Sequence, residues 1–274
     1  MNPLLHIIKG SQPGKRLAIF GGIHGNEKVG IMVLDYLKEN LKITSGEVIL
    51  VYANPGAIEK NVRFENKNLN RSLKRNQIQE VYEDILAQNL MDILDETDAL
   101  LDLHAYSDPQ GDGVPFIICH PDCYDVIQNF PISIVVSGFS EIEKGATDGY
   151  MQQQHKPGIC VELGILQKPE KFVDLGIEIA KIFLAHFGCI QYDLDSKEPT
   201  SKIYMTASIL YKRKHENFSF SKKYRTFDYV KKGELIAQDG YEKIHADEDG
   251  YIIFPRDNNP IGVEAFVFAR KISH

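Results

Sequence analysis

Apolar runs and helical stripes alternate along the first two thirds of the chain. Residues 17–20, 47–53, 99–103, 115–119, 132–136 and 158–163 read as strands. Most are short, continuous apolar runs of the kind buried on both faces of a sheet. Between them, residues 27–40 place Val29, Val33, Leu34 and Leu37 at helical spacing. Residues 77–95 do the same with Ile78, Val81, Ile85, Leu90, Ile93 and Leu94. Residues 169–187 read as a further helix, opened by Pro169 and ended by Gly188. Strands that alternate with helices predict an α/β fold, a mostly parallel mixed sheet flanked by helices.

The pattern changes after a polar stretch at 192–200, which reads as a linker. Short strands with turn residues follow at 203–211, 227–230, 234–237, 251–254 and 262–268. They predict a small C-terminal β domain. The expected organisation is one α/β domain over residues 1–190 and a β-rich domain over residues 191–274.

Composition narrows the function classes. Of 274 residues, 43% are hydrophobic and 25% charged, ordinary for a soluble globular protein. The formal charge of −7 leaves no basic surplus to displace counterions, so a nucleic-acid backbone is not the expected partner. No apolar run approaches the roughly 20 residues that span a bilayer, so no membrane partner is expected. The first residues lack a basic segment followed by an apolar one, so no secretory signal is expected. Cys119, Cys123, Cys160 and Cys189 are too scattered for a disulfide framework and fit buried thiols in a reducing cytoplasm. A homo-oligomer stays open.

Two stretches carry the candidate chemistry. Gly21-Gly22-Ile23-His24-Gly25-Asn26-Glu27 follows the first apolar run, and Asp102-Leu103-His104 ends another. In an open α/β sheet, strand ends and the loops after them face the ligand crevice. His24 and Glu27, three apart on one turn, can point at one ion. His104 would add a third ligand from another strand. Two imidazoles, a carboxylate and an open position form a catalytic zinc set. Asp102 shares a strand face with His104 and is placed to hydrogen-bond a histidine ligand. Each signal has a plainer alternative: a strand-end histidine alone is more often a core residue, and H-x-x-E alone is weak.

Two further stretches add to these. Asn54-Pro55-Gly56-Ala57 leads to Arg63 and then Asn68-Leu69-Asn70-Arg71-Ser72, and Gly158-Ile159-Cys160-Val161-Glu162-Leu163-Gly164 ends an apolar run. The order G-I-H-G-N-E, N-P-x-A, R-F, N-L-N-R, D-L-H, V-E-L-G resembles the succinylglutamate desuccinylase/aspartoacylase family. That family belongs among the zinc carboxypeptidase-like enzymes. The resemblance covers residues of about 15 to 190. It implies that His24, Glu27 and His104 bind one zinc ion per chain and that Glu162 is the catalytic carboxylate. It further implies that Arg63 polarises the scissile carbonyl and that Asn70 and Arg71 hold the substrate's carboxylate. The implied activity is a zinc-dependent amidohydrolase that deacylates an N-acyl amino acid. The same residues suit a metallocarboxypeptidase on short peptides. A catalytically silent protein that binds zinc or an acyl-amino acid is the reading from another class.

Departures from the family pattern bear on specificity. Members usually carry D-L-N-R where this chain has Asn68, which removes a charge that would influence how Arg63 or Arg71 is held. No arginine occurs between Arg75 and Arg213, where the resemblance implies one for a second substrate carboxylate. Lys144, Lys156 or Arg256 are the candidates to replace it, and without one, dicarboxylate substrates are expected to react poorly. Tyr241 and Tyr251 are candidate residues of a channel over the site. Cys119-His120-Pro121-Asp122-Cys123 lacks a second pair at ligand spacing and reads as a strand end and turn. No G-x-S-x-G elbow or phosphate loop is present.

Overall fold

The computed structural model describes residues 2–108, 111–193 and 200–273. At its centre are β2 (Gln12–Gly21), β4 (Ala99–Tyr106) and β7 (Gly158–Ile165), which run parallel in register Leu17↔Ala99 and His104↔Glu162. β4 and β7 are buried along their whole length, as the continuous apolar runs require. Beyond β2 lies β3 (Ser45–Tyr52), parallel to it, with β1 (Leu4–Lys9) antiparallel at the edge. Beyond β7, β5 (Phe116–Cys119) is antiparallel, followed by β6 (Ile134–Ser137) parallel to β5.

Alternation along β2 divides the core. Leu17 and Ile19 pack with α1 (Lys28–Asn40) and α6 (Val173–His186) on one face. Ala18 and Phe20 pack with α3 (Tyr82–Asp95) and α5 (Thr147–Gln153) on the other. The predicted layer order is therefore the observed one, a mostly parallel mixed sheet between helices. Among the described residues, no helix is long and apolar enough to cross a membrane.

Two helices begin later than their apolar spacing suggested. α3 starts at Tyr82 rather than at 77, because the Asp84 carboxylate accepts the backbone N–H groups of Glu80 and Val81 at 3.0 and 3.1 Å. Ile78 is consequently outside the helix and 77% exposed. The segment opened by Pro169 is first a tight 3-10 turn, Pro169–Phe172, before α6 begins.

Most of the predicted linker, 194–199, lies outside the described residues. From 200 onward the chain is β-rich, as predicted, and much of it continues the large sheet. β8 (Ile203–Lys212) pairs parallel with β6, and β14 (Glu264–Lys271) pairs antiparallel with β8. β13 (Gly250–Ile253) and β10 (Asp228–Val230) complete that edge. β9 (Phe218–Phe220), β11 (Leu235–Asp239) and β12 (Glu242–His245) form a separate small sheet. β8 and β14 thereby bring C-terminal residues to the region where the central strands end.

Candidate metal and active site

The site grows from the turn after β2. Gly22 adopts φ +73°, which a side chain disfavours. A Cβ on Gly25 would stand 2.1 Å from the Ala57 carbonyl carbon. The turn is thus pressed against α2 (Pro55–Lys60), and the N-P-x-A motif has a structural purpose. Asn54 Oδ1 accepts Ala57 N–H at 3.2 Å, Pro55 opens the helix, and Gly25 N–H donates to Arg63 O at 3.3 Å. His24, Glu27 and Arg63 are positioned by one packed unit.

Glu27 stands between the two histidines. Its Oε1 lies 2.6 Å from His24 Nδ1, and its Oε2 lies 2.9 Å from His104 Nδ1. Oε2 also accepts Ala105 N–H at 3.1 Å, and Oε1 accepts Arg63 NH1 at 3.0 Å. Ligand atoms of His24, Glu27 and His104 all lie within 4.8 Å of one another. They form the single cluster of three or more His, Cys, Asp or Glu side chains among the described residues arranged to hold an ion. All three residues are buried.

The far side of each ring is also held. His24 Nε2 lies 2.9 Å from Asn68 Oδ1, and His104 Nε2 lies 3.0 Å from Asp102 Oδ2. The second contact is an ion-pair distance whose angle is not that of a hydrogen bond, so His104 Nε2 has no hydrogen-bond partner. With protons on both Nε2 atoms, both Nδ1 lone pairs face Glu27, the tautomer a metal ligand needs. Two imidazoles and a carboxylate fit zinc. Burial, reinforced by the Arg63 charge, pushes His24 down to about 4, so its ring is neutral. Burial opposes ionisation of Glu27, but His24 and His104 hold it well below the usual carboxylate range. Burial also lowers His104, yet Asp102, Cys160 and Glu27 outweigh it and hold the ring well above the usual range. A cation taken up by these donors displaces that proton.

Glu162 sits directly across from His104 in the β4–β7 register. Its Oε2 is buried without a hydrogen-bond partner. Burial, aided by the Glu27 charge and opposed by His104, Arg63 and Arg256, pushes its carboxyl up to about 7.

The N-L-N-R stretch forms a 3-10 turn, Leu69–Arg71, with Leu69 fully buried. Asn68 Oδ1 accepts Asn70 N–H at 3.0 Å as well as facing His24. The Asn68 backbone carbonyl accepts Arg71 N–H at 3.1 Å, so this residue takes part in holding Arg71 through the turn, while its side chain reaches His24. Asn70 Oδ1 accepts Thr147 N–H at 3.1 Å and so fixes the start of α5. Arg71 donates from Nε and NH2 to Glu264 Oε1 at 3.2 and 2.9 Å, and from NH1 to Asn70 O at 2.8 Å.

A pocket with about 760 Å³ of empty space joins these groups. All seven predicted site residues line it: His24, Glu27, Arg63, Asn70, Arg71, His104 and Glu162. Sequence reasoning missed Glu143, Asp148 and Glu264, which also line it, and named Arg256 only as one of three candidates. The other two lie elsewhere. Lys156 Nζ donates to Asp95 O at 2.7 Å, and Lys144 lines a different surface groove. Neither predicted tyrosine lines the pocket. Tyr241 is 103% exposed in the turn between β11 and β12, and Tyr251 packs against Tyr229. Phe254, Glu264, Phe266 and Val267 form the C-terminal wall instead. The i, i+2 spacing of Glu264 and Phe266 was a usable signal. The Cys119–Cys123 segment forms a strand end and a 3-10 turn, Pro121–Cys123, as expected.

A mixed sheet of this topology is also the fold of several solved structures. Succinylglutamate desuccinylase from Vibrio cholerae superposes with a TM-score of 0.80 at 22% identity, over 94% of this chain and 82% of that one. The ectoine utilization protein from Ruegeria pomeroyi, in a product-bound structure, gives 0.75 at 20% identity, over 97% and 88%. In sequence, residues 13–172 match the succinylglutamate desuccinylase/aspartoacylase catalytic domain, and the chain belongs to that family. Aspartoacylase of Xenopus tropicalis is 37% identical over 107 residues, 34% of each chain. A probable aspartoacylase of Nostoc sp. is 28% identical over 167 residues, 54% of this chain and 55% of that one. The match thus spans from a third to just over half the length of these two curated relatives.

Proposed function

We propose that the protein is a zinc-dependent hydrolase of amide bonds that cleaves an N-acyl amino acid into a carboxylate and a free amino acid. The observation that carries this reading is the His104↔Glu162 register, which sets an unpartnered carboxylate oxygen beside the His24–Glu27–His104 cluster. Those three residues would hold the ion. When bound, zinc supplies Lewis acidity that brings the pKa of water toward about 7 and polarises the amide carbonyl.

The chain's own groups supply the rest. Glu162 takes the proton of the attacking water at Oε2 and returns it to the leaving amine nitrogen. A carboxyl titrating at about 7 suits both roles near neutral pH. Arg63, fixed by its 3.0 Å bond to Glu27, stabilises the carbonyl oxygen as negative charge develops there. Asn70 and Arg71 receive the carboxylate beside the scissile amide, with Arg71 exchanging Glu264 for it. Residues 1–190 supply the chemistry, and residues 191–274 supply a wall that limits access of water.

The test is metal analysis of the purified chain together with amine release from N-acyl amino acids and dipeptides. One zinc per chain and turnover of N-acyl amino acids are expected. Glu162→Gln is expected to keep zinc and lose about two or more orders of magnitude in turnover. Wild-type turnover in that zinc-loaded variant would remove Glu162 from the chemistry. Faster turnover of dipeptides would mark a metallocarboxypeptidase, and binding of N-acyl amino acids without any turnover a silent binding protein.

A further inference from the structure

The large sheet ends in two edge strands, β1 on one side and β10 on the other. They differ in kind. β10 is three residues long and carries Asp228, a short charged edge of the sort that discourages pairing with another chain. β1 has six residues, and its register with β3 runs from Leu4↔Tyr52 to Lys9↔Glu47 without a bulge. Gly10 N–H donates to Gly46 O at 2.9 Å, the next pair of that register. In an antiparallel ladder, pairs that exchange hydrogen bonds alternate with pairs that do not. Leu4, His6 and Ile8 therefore spend their backbone groups on β3, whereas Leu5, Ile7 and Lys9 turn theirs outward.

The side chains of this edge are largely apolar. Leu4, Leu5 and Ile7 are 59%, 47% and 46% exposed. Leu5 and Ile7 stand opposite Val51 and Ile49, on the face of the sheet that packs against α3, but beyond the cover that buries those two. Lys9 is the one charged residue of the strand, and Glu47 of β3 already pairs with it at 3.0 Å. The edge is thus straight, apolar and without uncompensated charge.

A second copy of the chain answers each of these features. Antiparallel self-pairing about a two-fold axis at Ile7 sets Ile7 opposite the partner's Ile7 and Leu5 opposite the partner's Lys9. All of these positions turn their backbone groups outward, so each pair exchanges hydrogen bonds. Like charges do not meet, because each Lys9 faces a leucine and the two lysines are offset by four positions along the strands. Such an isologous contact consumes the edge and closes, whereas pairing β1 with β10 of another copy would propagate and engage only three residues of β10.

We propose that β1 is a homodimerisation edge, through which two copies join their large sheets by antiparallel β1–β1 pairing centred on Ile7. No β1 residue lines the pocket, so the proposal stands apart from the hydrolase reading.

Sedimentation equilibrium of the full chain across the micromolar range tests it, and a dimer is expected. Ile7→Pro removes an outward N–H and leaves the β1–β3 ladder intact, because position 7 donates nothing to β3 and an edge tolerates proline there. Two hydrogen bonds are lost at the axis, so the dissociation constant of the dimer is expected to rise about thirty-fold. Ile7→Lys sets two ammonium groups face to face and carries the test if Ile7→Pro does not fold, with far-UV circular dichroism reporting the fold of each. Cross-linking reads the register. The native cysteines Cys119, Cys123, Cys160 and Cys189 are buried, so a thiol introduced on β1 is the accessible one. Ile7→Cys is expected to link to its copy through a short bis-maleimide, since the paired Cα atoms would stand about 5.5 Å apart. Leu5→Cys, about 14 Å along the strands from its copy, is expected to link poorly. A wild-type monomer throughout the range, a dimer unchanged in the folded Ile7 variants, or Leu5→Cys linking as readily as Ile7→Cys would each overturn the proposal.

Discussion

Arg71 and Glu264 lie 193 positions apart in the chain and meet in one ion pair, with two guanidinium nitrogens on a single carboxylate oxygen at 3.2 and 2.9 Å. The pair ties the Asn68–Arg71 turn to the first residue of β14. Burial pushes the Glu264 carboxyl up, but Arg71 outweighs it and keeps the group below the usual range, hence ionised. An internal carboxylate therefore sits where the proposed substrate carboxylate would bind.

Glu264→Gln removes that competitor while keeping the shape. The expected outcome is a KM for N-acyl amino acids lower by roughly three- to ten-fold with kcat little changed, the pattern of a change in ground-state binding. Steady-state amine release measures it. A higher KM in a correctly folded variant would show that Glu264 positions Arg71 rather than competing for it.

Asn68 offers His24 Nε2 a neutral oxygen at 2.9 Å. A carboxylate there makes the opposite ring nitrogen a stronger donor to a cation. Asn68→Asp should therefore tighten zinc binding by about ten-fold, the lower end of such effects. Competition with a chromophoric chelator reads this without any turnover. Unchanged affinity would mean that the contact orients His24 and does nothing more.

Asp239 is fully buried and accepts Lys214 N–H at 2.7 Å, His215 N–H at 2.8 Å and the Tyr211 hydroxyl at 2.9 Å. Burial pushes its pKa up, but these donors outweigh burial and hold it below the ordinary 3.8. Asp239→Asn should cost about 1.5–3 kcal/mol at neutral pH, the scale of hydrogen bonds to a charged group. The folded-state pKa is depressed, so the stabilisation is complete above 3.8 and is lost as pH falls through the lower folded value. Urea unfolding across a pH series should show the two proteins converging only in that acid range. A gap that persists unchanged below it would assign the effect to shape rather than charge.

Amino-acid order alone determined the central strands, the layer order and the main chemical cluster. The strands and the His24–Glu27 part of that cluster depend on short-range geometry. His104, 77 positions from Glu27, meets it through the β2–β4 pairing and was legible beforehand through the family resemblance. An apolar run such as 99–103 has to be buried on both faces wherever it sits, and one turn is enough to bring His24 and Glu27 together. Asp102 and His104 share a strand face by alternation alone. Local spacing failed where a side chain competes with the regular pattern, as Asp84 does by capping α3 at Tyr82. It also failed for β1, β9 and β12, short or half-exposed strands with little apolar signal. Only the tertiary structure decided that Arg71 is paired with Glu264, that Asn68 serves His24, and that Arg256 rather than Lys144 or Lys156 faces the pocket. Each of those facts depends on β14 pairing with β8 in a register broken by two irregularities, or on a contact across dozens of residues. Which face a distant strand presents is set by that pairing, and a one-residue change would turn Glu264 and Phe266 away from the pocket.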